Sequence, residues 1–168
     1  MSGGRDGNQG PAGTVLGRAD LAAWADGLRA RGRTIAFTNG CFDLVHVGHL
    51  ESLRQAAAAA DELIVALNSD ASVRQLKGPG RPILPADARA ALIAALRPVS
   101  AVTIFDEPTP LETILLIRPD VLVKGSEYAD ADIVGAREVV AAGGRVVRVP
   151  MVPGWSTSQI IAAIRKLP

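Results

Sequence analysis

The chain has one cysteine, Cys41, and two histidines, His46 and His49, in 168 residues. A single thiol excludes an intramolecular disulfide, and two imidazoles without paired cysteines leave little from which to build a structural zinc site. Excess charge of either sign is absent: 18 Lys and Arg face 17 Asp and Glu, for a net charge of +1. That balance lacks the polyelectrolyte signature of a nucleic-acid binder, so any anion site must be local. No apolar stretch is long enough to span a bilayer and the N-terminus has no signal-peptide core, which predicts a soluble, cytoplasmic protein without a membrane partner. Residues 1–17 are rich in glycine, lack apolar periodicity and read as a disordered tail. No internal repeat is visible.

With 48% apolar composition, what remains is enough for one domain with a real core, over residues 18–168. Short apolar runs at 34–38, 63–67, 102–105, 121–123 and 146–149 read as buried strands. Helical spacing occupies 18–31, 48–60, 86–96, 111–117, 134–142 and 156–166. Strand and helix alternate. The expected fold is therefore α/β, a Rossmann-like doubly wound parallel sheet of about five strands, with ligands gathered at the carboxyl ends of the strands.

The first of those strands runs into Asn39-Gly40-Cys41-Phe42-Asp43-Leu44-Val45-His46-Val47-Gly48-His49. A glycine turn, an acid and both histidines thus meet at one strand-to-helix junction. Amide groups at a helix N-terminus are unpaired within the helix and carry the positive end of its dipole, so such a junction attracts phosphate. Gly40 and Gly48 allow close approach. His46 and His49, three residues apart, can turn both rings to one side of the first helical turn and donate to phosphate oxygens. Capping or core histidines are the plainer reading, but the only two in the chain flanking one glycine at a strand end are hard to assign to packing. Two imidazoles and Asp43 could also ligate zinc; no further ligand set follows, and no metal site is assigned.

Other basic residues are ambiguous on residue grounds alone. Lys77 and Arg81 sit in Leu76-Lys77-Gly78-Pro79-Gly80-Arg81-Pro82, a stretch whose glycines and prolines predict a mobile, exposed loop. Arg89 lies in an alanine-rich helix and is either a phosphate clamp or a surface residue. Lys124 follows a strand directly and emerges at its carboxyl edge, with Glu127 and Tyr128 after it. Ser156 and Thr157 precede the last helix, where hydroxyls cap the helix and its amides can face phosphates.

Taken together, these residues resemble a known family. The segment 40–49 is similar to the Gly-x-Phe-Asp-x-x-His-x-Gly-His signature of the cytidylyltransferase-like nucleotidyltransferase superfamily. Within it, Thr38 to Asp43, Asn68-Ser69-Asp70, Leu76 to Pro79, Arg81-Pro82, Val123-Lys124-Gly125 and Ser156-Thr157 resemble the heptose 1-phosphate adenylyltransferases. The resemblance implies transfer of AMP from ATP to a heptose 1-phosphate, giving an ADP-heptose for surface polysaccharide, with pyrophosphate released. His46, His49 and Lys77 would be catalytic. Asn39, Gly40, Cys41, Phe42, Asp43, Gly48, Asn68, Asp70, Arg81, Arg89, Lys124, Gly125, Glu127, Ser156 and Thr157 would bind the nucleotide or the acceptor. Cys41 and Trp155 stand where relatives vary, and neither is given chemistry. Mg²⁺ would bridge the phosphates, with Asp43 or water completing its shell. Adenine would be read near residues 146–157. A homo-oligomer, a dimer or larger, is expected, as is a separate sugar kinase upstream. The rival readings are a cytidylyltransferase acting on glycerol 3-phosphate and a non-catalytic nucleotide sensor.

Overall fold

Alternate residues of a strand point to opposite faces, so a strand apolar at every position needs cover on both sides. The computed structural model, which describes residues 13–129 and 132–167, supplies it. On one face of the sheet, Ala36, Leu63, Val65, Leu67, Val102 and Val121 pack with Leu53, Ala56 and Ile93. On the other, Ile35, Phe37, Ile64, Ala66 and Leu122 pack with Leu21, Leu28, Ile114 and Ile117. Each fully buried Leu, Ile, Val or Phe contributes about 1.5–3 kcal/mol of transfer free energy, so these two layers dominate the stabilising side.

The strands are β1 (Thr14–Val15), β2 (Ile35–Gly40), β3 (Glu62–Asn68), β4 (Ala101–Phe105), β5 (Val121–Gly125) and β6 (Arg145–Val149). Helices are α1 (Arg18–Ala30), α2 (Val47–Ala57), α3 (Asp70–Lys77), α4 (Ala86–Ala94), α5 (Leu111–Ile117), α6 (Ala136–Ala141) and α7 (Thr157–Ile164). All strand pairs are parallel, in the order β1-β4-β3-β2-β5-β6. The Rossmann-like doubly wound reading holds, with six strands rather than five. The extra one is β1. It lies within the stretch expected to be tail, of which residues 1–12 fall outside the described ones. Two exposed residues give no periodicity to read; backbone bonds to β4 hold them, from Thr14 to Ser100 at 3.3 Å and from Leu16 to Val102 at 2.8 Å.

A second difference is α3. Residues 70–77 carry a polar, mostly exposed face and were not read as a helix, although Ser69 caps it by accepting from the Ser72 amide at 3.2 Å. Lys77 therefore ends a helix rather than floating in a loop.

Winding places the crevice. From β2 the chain steps outward through β3 and β4, then returns to the other side of β2 to form β5 and β6. β2 pairs with β3 along its whole length, but with β5 only at Ala36 and Phe37. Beyond Phe37 the two strands part, and a cleft opens between their carboxyl ends, the switch point where such sheets take ligands. Among the described residues no helix is long and apolar enough to cross a membrane.

Candidate active site

A cleft of about 500 Å³ occupies the switch point. Asn39 to Asp43 line its floor from β2, His46, Gly48 and His49 from the start of α2, and Lys124, Gly125 and Glu127 from the end of β5. Lys77 and Arg81 close one side, and Trp155, Ser156 and Thr157 another; Asn68 also reaches it.

The loop from Cys41 to His46 is held in an unusual shape. Phe42 and Leu44 have φ of 46° and 48°, the left-handed region that costs non-glycine residues of order 1 kcal/mol or more each. Phe42 thereby tucks under Gly40, where a Cβ would lie 3.1 Å from its ring. Asp43 anchors the loop. Its side chain is fully buried, and Oδ2 accepts from Arg81 Nε at 2.6 Å and from the Ile83 amide at 2.8 Å, while Oδ1 accepts from the Leu84 amide at 3.0 Å. Burial pushes this carboxyl up, but the two amides and the guanidinium outweigh it and hold the group below the ordinary carboxylate range.

That commitment bears on two expectations. Three donors already occupy most of the acceptor positions of the Asp43 carboxylate, which leaves it little capacity to ligate magnesium. Arg81 is likewise tied to Asp43, so its end of the expected mobile loop is fastened to the floor of the site.

Arg89 is corrected too. It is fully buried beneath the loop instead of facing the cleft. Nε donates to Leu84 O at 3.0 Å, Nη1 to Cys41 O at 2.6 Å and Nη2 to Asp70 Oδ1 at 2.8 Å. Neither Arg89 nor Asp70 lines the cleft; they fix the two loops that do. Asn68 donates to Ser72 Oγ at 3.0 Å and lies 3.9 Å from the Cys41 thiol, whose pKa is pushed up by burial.

The histidines lie together. Their ring centroids are 3.9 Å apart with planes 22° from parallel, and Phe42 packs on His49 at 5.1 Å. Gly48 makes this possible, since a Cβ there would lie 3.0 Å from the His46 ring. Both Nδ1 atoms are buried without a hydrogen-bond partner. Burial lowers the pKa of His46. For His49, burial and then the neighbouring imidazole lower it to about 4, against a small opposing pull from Asp43. Both shifts favour the uncharged ring, and an uncharged imidazole keeps one N–H to donate.

Across the cleft, Lys124 Nζ donates to Asn39 Oδ1, bridging the diverging ends of β5 and β2. Burial brings its pKa down to about 8, the nearby Glu127 opposing. Glu127 folds back over Gly125, where any Cβ would strike its carboxylate. At the α7 end, Ser156 Oγ caps the helix by accepting from the Gln159 amide, and Thr157 Oγ1 donates to Asp43 O at 2.7 Å. Tyr128, Met151 and Trp155 also line the cleft. Met151 and Trp155 fall within the stretch 146–157 expected to read adenine, and Tyr128 follows Glu127; spacing does not mark them individually, because they come from loops.

A doubly wound sheet whose switch point carries stacked imidazoles at a helix N-terminus, flanked by Lys77 and Lys124, is built to hold a polyphosphate in place. The family model described as cytidylyltransferase-like matches residues 37–163, which holds the site and all of the sheet but β1 and the start of β2, and the chain belongs to that family of nucleotidyltransferases. Among its relatives, "Bifunctional protein HldE" of Azorhizobium caulinodans is 52% identical over 155 residues, covering 92% of this chain and 32% of the relative. The protein of the same description from Caulobacter vibrioides is 53% identical over 148 residues, covering 88% and 31%. This chain thus spans about a third of the length of those curated relatives. As both are bifunctional, they lend no support to the separate kinase expected above. A crystal structure of the lipopolysaccharide core biosynthesis protein from Thermoplasma volcanium superposes with a TM-score of 0.59 at 26% identity, covering 72% of this chain and 98% of that one.

Proposed function

We propose that the chain transfers the adenylyl group of ATP to a heptose 1-phosphate, forming an ADP-heptose and pyrophosphate for surface polysaccharide. The observation that carries this reading is the pair of stacked imidazoles at the N-terminus of α2, both lining the cleft. An acceptor phosphate is already ionised near neutral pH, so no strong base is needed. One of its oxygens attacks the α-phosphorus in line, the bond to the bridging oxygen breaks, and pyrophosphate leaves. The work of the site is orientation and charge balance. His46 and His49 donate to the α- and β-phosphate oxygens, Lys77 neutralises the leaving pyrophosphate, and Lys124 holds the acceptor. Magnesium entering with ATP would be held by phosphate oxygens and water, as Asp43 is already engaged. The structural relative, a lipopolysaccharide core biosynthesis protein, and the HldE relatives support the choice of sugar.

Pyrophosphate release, measured with ATP, CTP and GTP against a panel of sugar 1-phosphates and glycerol 3-phosphate, tests the reading. ATP with a heptose 1-phosphate should be the preferred pair. Preference for CTP with glycerol 3-phosphate would replace it by the cytidylyl reading, and no release with any pair would leave a nucleotide sensor.

A further inference from the structure

His46 is a site residue without a polar anchor. It occupies the N-cap of α2, yet its side chain makes no capping bond, and its Nδ1 is buried without a partner. A functional imidazole is ordinarily aimed by a hydrogen bond from its second nitrogen to a carboxylate or carbonyl. Here that device is missing, and the terminal torsion of a histidine is broad by itself. Only packing can aim the ring. Three contacts do so: His49 at 3.9 Å, the Gly48 backbone beside it, and the indole of Trp155, whose centroid lies 6.3 Å away with planes 28° from parallel. The first two belong to α2 itself. Trp155 comes from the loop before α7, a segment tied to the site floor by the Thr157 bond to Asp43 O.

We propose that Trp155 is a positioning residue of the transfer site: by stacking on His46 it fixes that imidazole at the cleft wall, in place of the missing hydrogen bond. This rests on the reading that His46 meets phosphate. Trp155 is 47% exposed, so it contributes little to the core and its removal should leave the fold intact. It also shields His46 from water. The charged groups that bear on the two rings are the rings themselves and Asp43, none of which changes when Trp155 is replaced.

The test has two arms. In the ligand-free protein, NMR titration of the ring nitrogens follows both histidines, the only two in the chain. Trp155→Ala should raise the pKa of His46 toward its ordinary value and leave Trp155→Phe close to the unsubstituted protein. The second arm is a double-mutant cycle on turnover with ATP and heptose 1-phosphate. Trp155→Ala should lower kcat roughly 2- to 10-fold, the worth of one aromatic stack, with little change in KM. In a His46→Ala background the same substitution should cost nothing further. An unchanged His46 titration in Trp155→Ala overturns the proposal, as does an equal loss of kcat with and without His46. If no variant and no unsubstituted enzyme turns over, the adenylyl reading fails, and the NMR arm alone decides whether Trp155 aims His46.

Discussion

At the scale of single residues, the site is set by close approaches more than by bonds. Gly48 is the clearest case. A methyl group there would sit 3.0 Å from Nδ1 and Cε1 of His46 and 3.3 Å from the Cβ of Trp155. Its φ is not the issue; the space is. Gly48→Ala should therefore fold, displace His46 and lower kcat about 10²-fold, the usual consequence of losing one transition-state donor. Wild-type turnover in a folded Gly48→Ala protein would contradict this. Lys124 offers a test by pH. Its pKa of about 8 means the ammonium is lost above that pH, and the KM for the acceptor should rise about tenfold between pH 7 and 9. Stability should move the other way. A lysine whose pKa falls from 10.5 to about 8 on folding binds more protons unfolded within that window, so stability rises with pH there. Loss of acceptor affinity is then not unfolding. Lys124→Arg, which stays charged, should keep KM flat to higher pH if it retains binding; the same rise in that variant would assign the titration elsewhere.

At the scale of elements, buried polar ties join loops distant in sequence. Arg89 on α4 holds the Cys41 carbonyl, the Leu84 carbonyl and Asp70 on α3, while Asp43 gathers residues 81, 83 and 84. Truncating Arg89 leaves buried groups unpaired. Arg89→Ala should cost about 3–5 kcal/mol, seen as a lower urea midpoint, and should loosen the loop carrying Arg81. An unchanged midpoint would show that the network carries no stability. Here the limits of sequence reading are plain. The run 34–38 and its counterparts announced strands, since β-branched and apolar residues must be buried on both sides. The Gly-x-Phe-Asp-x-x-His-x-Gly-His spacing announced the cleft, because it is contiguous. Arg89 looked like a clamp or a surface residue because its partners lie 48, 19 and 5 positions away. Asp43 looked available to a metal for the same reason. α3 escaped notice because most of its surface faces water, and β1 because it owes its existence to a neighbour's backbone.

At the scale of the whole molecule, the topology brings the candidate residues to one place. β2 supplies the glycine turn, the start of α2 the imidazoles and β5 Lys124, and the parting of β2 and β5 beyond Phe37 leaves room between them. Both histidines line the cleft with Lys77 and Lys124, and the proposed adenylyl transfer requires attack at the α-phosphorus, not at the terminal phosphate. ATP labelled separately at its α- and γ-phosphorus measures this directly. With a heptose 1-phosphate as acceptor, the α-label should appear in the nucleotide sugar and the γ-label in pyrophosphate, and both should form about 10²- to 10³-fold more slowly in soluble His46→Ala and His49→Ala proteins. Label from the γ-phosphate in the sugar, or transfer of the α-label undiminished in those two variants, would contradict the account.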